Sequence, residues 1–285
     1  MTATIKAAFW MAGWLACMVV MAVAGREATR ELHVFQVMEL RSLIGLAMLA
    51  PAIALSGGLP ALRVAHPGRH ALRNVVHYGA QFSWLMALNL IPLAQVISIE
   101  FTMPIWTAIL AVLFLGERMG LWKTLAVALG LVGVAIIVRP FAGAPNAGQL
   151  IALAASLGFA ISVIMVKAFT RTDKVVAILF WMMAMQSVIG ALPAFHAWRT
   201  PSAEAWGWVT VIAFCGTYSH YCMTQALTHA EATVVVPMDF LRVPLAALTG
   251  WLIYAERIDL LTVAGAALIL GGNLLNLRGA APAKR

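Results

Sequence analysis

Charge is what this sequence has least of. Only 11% of its 285 residues are Asp, Glu, Lys or Arg, against 62% hydrophobic, and the mean hydropathy is +0.91. Soluble globular domains carry about 25% charged residues, and the gaps between apolar runs are too short to hold such a domain. Cysteine is also scarce. Cys17, Cys215 and Cys222 form an odd set, all within apolar runs, which argues against a disulfide framework or a metal site and leaves packing as their role. His-Glu-x-x-His, a Gly-x-Ser-x-Gly elbow and a phosphate-cradling glycine loop are all missing, so nothing resembles a membrane enzyme and no cofactor is expected. The net charge of +8 is spread over loop ends instead of forming a patch. No nucleic-acid partner is expected.

What is present is apolar and long. A membrane span needs roughly 20 apolar residues, and the chain reads as about ten such helices: 7–25, 34–55, 73–91, 94–116, 121–139, 148–169, 175–197, 205–228, 232–254 and 259–278. Threading them with the N-terminus inside places 12 basic residues on the cytoplasmic side, including Arg63, Arg69, Arg118, Lys167, Arg171 and Lys174, and 5 on the other. The positive-inside rule then puts both termini in the cytoplasm. Lys6, an apolar run and Ala22-Val23-Ala24 imitate a secretory signal, but 148–169 is the natural counterpart of this segment, and it is kept as the first span.

Two stretches match each other 139 residues apart without a gap. Ala87, Leu88, Glu100, Phe101, Glu117, Arg118, Gly133 and Arg139 align with Ala226, Leu227, Asp239, Phe240, Glu256, Arg257, Gly272 and Arg278. Each copy holds five spans, an odd number, so the second enters the membrane from the opposite side. Loop charges agree: Glu117, Arg118 and Lys123 make a positive loop, and Glu256, Arg257 and Asp259 a negative one. The expected fold is an all-α integral membrane protein of ten transmembrane helices, arranged as two inverted five-helix repeats, 1–140 and 141–285. Such repeats place a substrate near the midplane, between the halves.

Five ionisable residues fall inside spans: Glu39 and Arg41 in helix 2, Glu100 in helix 4, Asp239 and Arg242 in helix 9. Each costs at least about 2.5–3.5 kcal/mol at the bilayer centre. Mutual neutralisation would account for some of them: Asp239 and Arg242 stand at i, i+3, and Arg41 could partner Glu100. The five sum to −1, so they cannot all pair. Pro104, four residues after Glu100, removes a hydrogen bond to the carbonyl of residue 100 and bends the helix; Pro237 and Pro244 bracket Asp239. Helix 3 offers His77, Tyr78, Gln81 and Trp84, with 77, 81 and 84 on one face. Helix 8 offers a Tyr218, Tyr221 and Gln225 stripe, with His220 pointing elsewhere. Trp106, Trp181 and Gln186 are further candidates. A lone intramembrane His or Gln more often bonds a neighbouring helix than a ligand. Helices 5 and 10, with Gly130, Gly133, Gly265, Gly271 and Gly272, read as packing or dimer helices. Glu117-Arg118 and Glu256-Arg257 read as ion pairs at helix ends by the water.

Pro104, Leu115-Gly116-Glu117-Arg118, Gly130 and Gly133, with the echo Ala255-Glu256-Arg257 and Gly272, resemble the drug/metabolite transporter superfamily and its ten-helix EamA-type permeases. The resemblance implies inverted repeats, cytoplasmic termini, a central cavity lined mainly by helices 3, 4, 8 and 9, and secondary transport of small metabolites, often amino acids and their relatives. Arg41 matches an arginine often seen in helix 2 of such permeases. The expectation is a bacterial inner-membrane transporter working by alternating access, as monomer or homodimer in membrane lipid. Glu100 and Asp239 would be proton or amine sites, with Arg41 and Arg242 as carboxylate partners. An amino acid or related zwitterion or organic cation is the expected substrate, with a proton as coupling ion. A multidrug-type exporter of lipophilic cations and an uncoupled facilitator or exchanger are the rivals.

Overall fold

The computed structural model describes residues 3–90, 99–138, 147–242 and 260–279, with 244, 245, 248 and 252. Among the described residues there is no strand. The helices are α1 (Ala3–Ala28), α2 (Val34–Leu55), α3 (Pro67–Leu90), α4 (Met103–Leu110, continued by a π turn over Ala111–Leu115), α5 (Leu121–Val138), α6 (Ala147–Phe169), α7 (Val175–His196), α8 (Ala203–His229), α9 (Ala232–Val235, continued by a 3-10 segment over Val236–Leu241) and α10 (Leu260–Gly279). A short 3-10 turn, Leu59–Leu62, precedes α3.

Local chemistry explains the ends. Ser202 accepts from the Ala205 N–H at 3.1 Å to start α8, and the His33 ring accepts from the Phe35 N–H to start α2; each satisfies an orphan donor of a first turn. Pro67 opens α3 six residues before the expected start, since a proline at the first helical position loses no hydrogen bond. Gly116, at φ 69°, closes the π turn in the left-handed region that glycine enters without cost. The expected 94–116 span is interrupted: Phe101 and Thr102 form a turn, and the helix restarts at Met103 with Pro104 in its first turn. Pro237 sits likewise at the start of the tightened segment of α9.

α1 packs along α8, α3 along α6, α2 against α7 and α8, α4 against α6, and α5 against α10. The last crossing depends on glycine. A Cβ at Gly133 would lie 2.6 Å from the Gly265 carbonyl, and one at Gly272 would lie 2.9 Å from the Ala126 carbonyl, so these backbones touch. The packing role expected of helices 5 and 10 is met within one chain.

The distribution of side chains reverses that of a soluble protein. Leu113, Phe114, Val188 and Phe195 are each at least 70% exposed, while Gln36, Glu39, Arg41, Asn74, His77, Gln186 and Asp239 are buried. Ala3–Gly25, Val34–Leu55, Ala147–Phe169 and Val175–His196 are long and apolar enough to cross a membrane. Polar groups turned inward and apolar ones outward are what a hydrocarbon solvent demands.

Candidate functional site

Glu100 and Asp239 meet where their helices are interrupted, and one guanidinium joins them. Arg242 Nη2 donates to Glu100 Oε1 at 2.7 Å and to Asp239 Oδ2 at 3.1 Å. The outer carboxylate oxygens take indole donors: Trp84 Nε1 reaches Glu100 Oε2 at 2.8 Å, and Trp14 Nε1 reaches Asp239 Oδ1 at 2.8 Å. Arg242 also lies over the Phe101 ring, 5.1 Å from its centroid, a cation–π contact. The carbonyl of Glu100 that Pro104 leaves unpaired accepts from Ser156 Oγ at 3.4 Å, and Ser156 stands 2.9 Å from the Thr102 hydroxyl. A freed carbonyl and a carboxylate therefore share one buried spot, as the proline spacing implies.

A second polar group lies between α2, α3, α7 and α8. Arg41 Nη2 donates to Gln186 Oε1 at 3.2 Å. Glu39, two positions away and on the other side of α2, accepts from the Ser187 hydroxyl at 2.6 Å. Glu39 Oε2 and the Tyr78 hydroxyl have no hydrogen-bond partner among the described residues. A Cβ at Gly190 would stand 2.7 Å from that carboxylate oxygen and 3.2 Å from the hydroxyl, so glycine there leaves room for both. His77 joins Gln81 at 3.1 Å through Nε2 and Ser162 at 3.1 Å through Nδ1. Its ring lies 5.5 Å from that of His220, which lies 6.0 Å from Trp14. Trp14 and His220 thus link the acid trio to His77 and its partners Gln81 and Ser162.

Several expectations need correction. Arg41 partners Gln186, not Glu100, whose guanidinium partner is Arg242. Tyr218 is 41% exposed and stacks toward Phe214 and Tyr221 on the outside of the bundle. Tyr221 accepts from Gln225 at 2.8 Å and packs edge-on against Trp10. The helix-8 face that enters the core carries His220 instead. Trp181 donates to the Leu62 carbonyl and holds a turn. Trp14 was missed, and its only sequence signal was a polar-tipped indole in the middle of an apolar span, away from the span ends where tryptophan anchors lie.

The connections at the end of the bundle where α1 begins are tied together. Glu117 is buried and caps α9, accepting from the Ala232 and Thr233 N–H groups at 3.0 Å each and from the Thr233 hydroxyl at 2.9 Å. A surface pair with Arg118 was the expectation; the partner is instead a helix start 115 residues away in sequence. Glu256-Arg257 lies outside the described residues. Lys123 pairs with Glu231, and Lys167 donates to the Leu227 and Ala230 carbonyls at 2.6 and 2.7 Å. Asp173 accepts from the Ala65 N–H at 3.0 Å and lies 2.8 Å from His70 Nε2. Burial works to raise the Asp173 carboxyl, but hydrogen bonds from His70, Ala65 and Thr172 hold it below the ordinary carboxylate range. At the opposite end, Gln36 exchanges two hydrogen bonds with the Arg199 backbone, and Glu31 accepts from Ser202.

Comparison with known proteins agrees with this architecture. A riboflavin transporter of Brucella anthropi is 29% identical over 82% of this chain and 84% of its own length. An S-adenosylmethionine uptake transporter of Rickettsia bellii is 27% identical over 86% and 84%, and a pseudopaline exporter of Pseudomonas aeruginosa is 26% identical over 86% of each. None of these names gives support to plain amino-acid transport. A crystal structure 18% identical in sequence superposes with a TM-score of 0.83, covering 98% of this chain and 97% of the other, which shows the fold. Residues 5–139 and 146–278 each match the EamA-like transporter family. The chain therefore belongs to that family of the drug/metabolite transporter superfamily, and it is a multi-pass membrane transporter of small metabolites, not an enzyme.

Proposed function

We propose that the protein is a proton-coupled secondary transporter of the bacterial inner membrane, working by alternating access between two inverted five-helix repeats, 1–140 and 141–285, with both termini cytoplasmic. The observation that carries the coupling is the Glu100–Arg242–Asp239 trio. Two carboxylates share one guanidinium, so with both acids ionised the trio holds one excess negative charge in the membrane interior. Such a charge is costly there, and a proton or the cationic group of a solute removes it. Binding of one or the other at this place couples proton movement to solute movement.

The pattern of packing supports the two-repeat reading. Exchanging each helix of α1–α5 with the one five places later turns the α1–α8 contact into α6–α3, and both pairs pack; α2–α7 and α5–α10 map onto themselves and also pack. The relatives support a small organic metabolite, and they include both uptake and export proteins. A zwitterion or organic cation remains the narrower reading, because the acid trio would neutralise its cationic part.

The test is proton flux in proteoliposomes holding a pH dye, challenged with metabolite pools, for wild type, Glu100→Gln and Asp239→Asn. Solute-dependent flux should fall by about 100-fold or more in either variant, the range that loss of a positioned proton-transfer group produces. Labelled-solute exchange without proton flux in the wild type would replace coupled transport with uniport or exchange.

A further inference from the structure

Arg41 and Arg73 are buried cations without a carboxylate partner among the described residues, and Arg41 is the one inside a span beside the site. It is 7% exposed, and among the described residues no carboxylate lies within ion-pair distance of it. Its Nη2 donates to the neutral amide of Gln186, and its Nε has no partner among the described residues. Glu39 does not fill the gap, because positions two apart point to opposite sides of a helix and its carboxylate is held on Ser187. An ionised guanidinium withdrawn from water needs a counter-charge or a full set of acceptors. Arg41 has neither.

The unpaired polar atoms around it converge. Gln186 Nε2 and Thr217 Oγ1 are buried, in residues 1% and 6% exposed, and have no hydrogen-bond partner among the described residues. Gly45, one turn along α2 from Arg41, faces Thr217: a Cβ there would stand 2.7 Å from its Oγ1. Next to Thr217, a Cβ at Gly216 would stand 3.2 Å from Arg41 Cδ. Tyr78 on α3 stands beside Glu39 instead, both facing Gly190, so α7 and α8 are the helices that bring an amide and a hydroxyl up to Arg41. A fork of N–H groups surrounded by amide and hydroxyl donors is the constellation that takes the oxygens of a carboxylate or phosphate.

We infer that Arg41, with Gln186 and Thr217, receives an anionic group of the transported solute, so that the solute spans from this anion site toward the Glu100–Asp239 acids. The inference rests on the proposed transport function and narrows its substrate to molecules bearing a carboxylate or phosphate. It also removes Arg242 from the anion site, since both acids already hold it.

The test uses purified full-length protein in lipid nanodiscs, titrated by intrinsic tryptophan fluorescence with matched pairs. One arm compares L-methionine with its methyl ester, and the other compares riboflavin 5′-phosphate with riboflavin. In at least one arm the member bearing the carboxylate or phosphate should bind ~10-fold more tightly than the partner lacking it, the scale of one charge-assisted pair, and the arm that responds distinguishes carboxylate from phosphate. Arg41→Gln should bring that ratio to about 1, and Arg41→Lys should keep part of it because the charge survives and the fork does not. Should Arg41→Gln fail to fold, Gln186→Leu and Thr217→Val should each reduce the ratio several-fold, about one lost hydrogen bond. Equal binding within both pairs, a ratio unchanged in the variants, or no binding by wild type that still melts cooperatively would overturn the inference. Proton flux that depends on Glu100 without any anion preference would sink this inference alone. Anion preference without coupled flux would sink the coupling reading alone.

Discussion

Arg242 donates to two carboxylates through a single nitrogen, and both acids depend on it for their only cationic partner among the described residues. Arg242→Leu leaves Glu100 and Asp239 facing each other without a cation, and breaking a buried ion pair by removing one partner costs about 3–5 kcal/mol. Thermal unfolding in detergent should show that loss, and adding Glu100→Gln should recover part of it by removing one of the stranded charges. A double variant no more stable than Arg242→Leu would mean that the acids do not repel through this site. The acids themselves were legible in the sequence, because chance seldom places a carboxylate at the same offset inside two apolar runs. Trp14 and His220 were not. Helical periodicity states which residues share a face but not which neighbour that face meets, and Tyr218 and Tyr221 offered a more polar-looking stripe than the one that turns inward. An amphipathic tyrosine is equally at home at the edge of an apolar bundle.

At the scale of elements, the interruptions at Phe101–Thr102 and over Val236–Leu241 bring both acids to places where the helical ladder is already broken. The prolines announced these breaks; the rescue of the Glu100 carbonyl by Ser156 on α6 could not be read from α4 alone. Glu117 shows the same limit. A Glu-Arg dipeptide at a span end reads as a solvated pair, and only the packed chain brings the start of α9 to it. As a cap on two N–H groups and a hydroxyl, it stabilises the α9 start through both hydrogen bonding and the helix dipole. Glu117→Ala should therefore cost about 1–2 kcal/mol and speed hydrogen exchange at Ala232 and Thr233 before any other region. Glu117→Gln, which keeps an acceptor, should lose less. Uniform faster exchange across all helices would mean that the cap is not local.

For the whole molecule, the ties at the end where α1 begins run between the first five helices and the last five: Asp173 to Ala65 and His70, Lys174 to the Ser56 carbonyl, Arg171 to the Leu115 carbonyl, Lys123 to Glu231 and Glu117 to α9. In the proposed cycle, separation of the halves at this end must break them all. The Asp173 contribution has a pH signature. Its carboxyl is held low in the folded protein, so its stabilisation is present above the unfolded value of about 3.9 and disappears as pH falls through the lower folded value. Melting temperature should consequently fall more steeply with acid in wild type than in Asp173→Asn. Holding the ties shut is the complementary experiment. With Ala65 and Asp173 both replaced by cysteine, a short bis-methanethiosulfonate reagent, which forms a disulfide with each thiol as methanesulfinate leaves, should bridge the two halves at the place of the present 3.0 Å contact. Transport in proteoliposomes should then stop and return when the bridge is cleaved, while solute binding measured at the other face persists. Transport that continues with the bridge in place would show that this end does not open, and the alternating-access reading would lose the movement it requires.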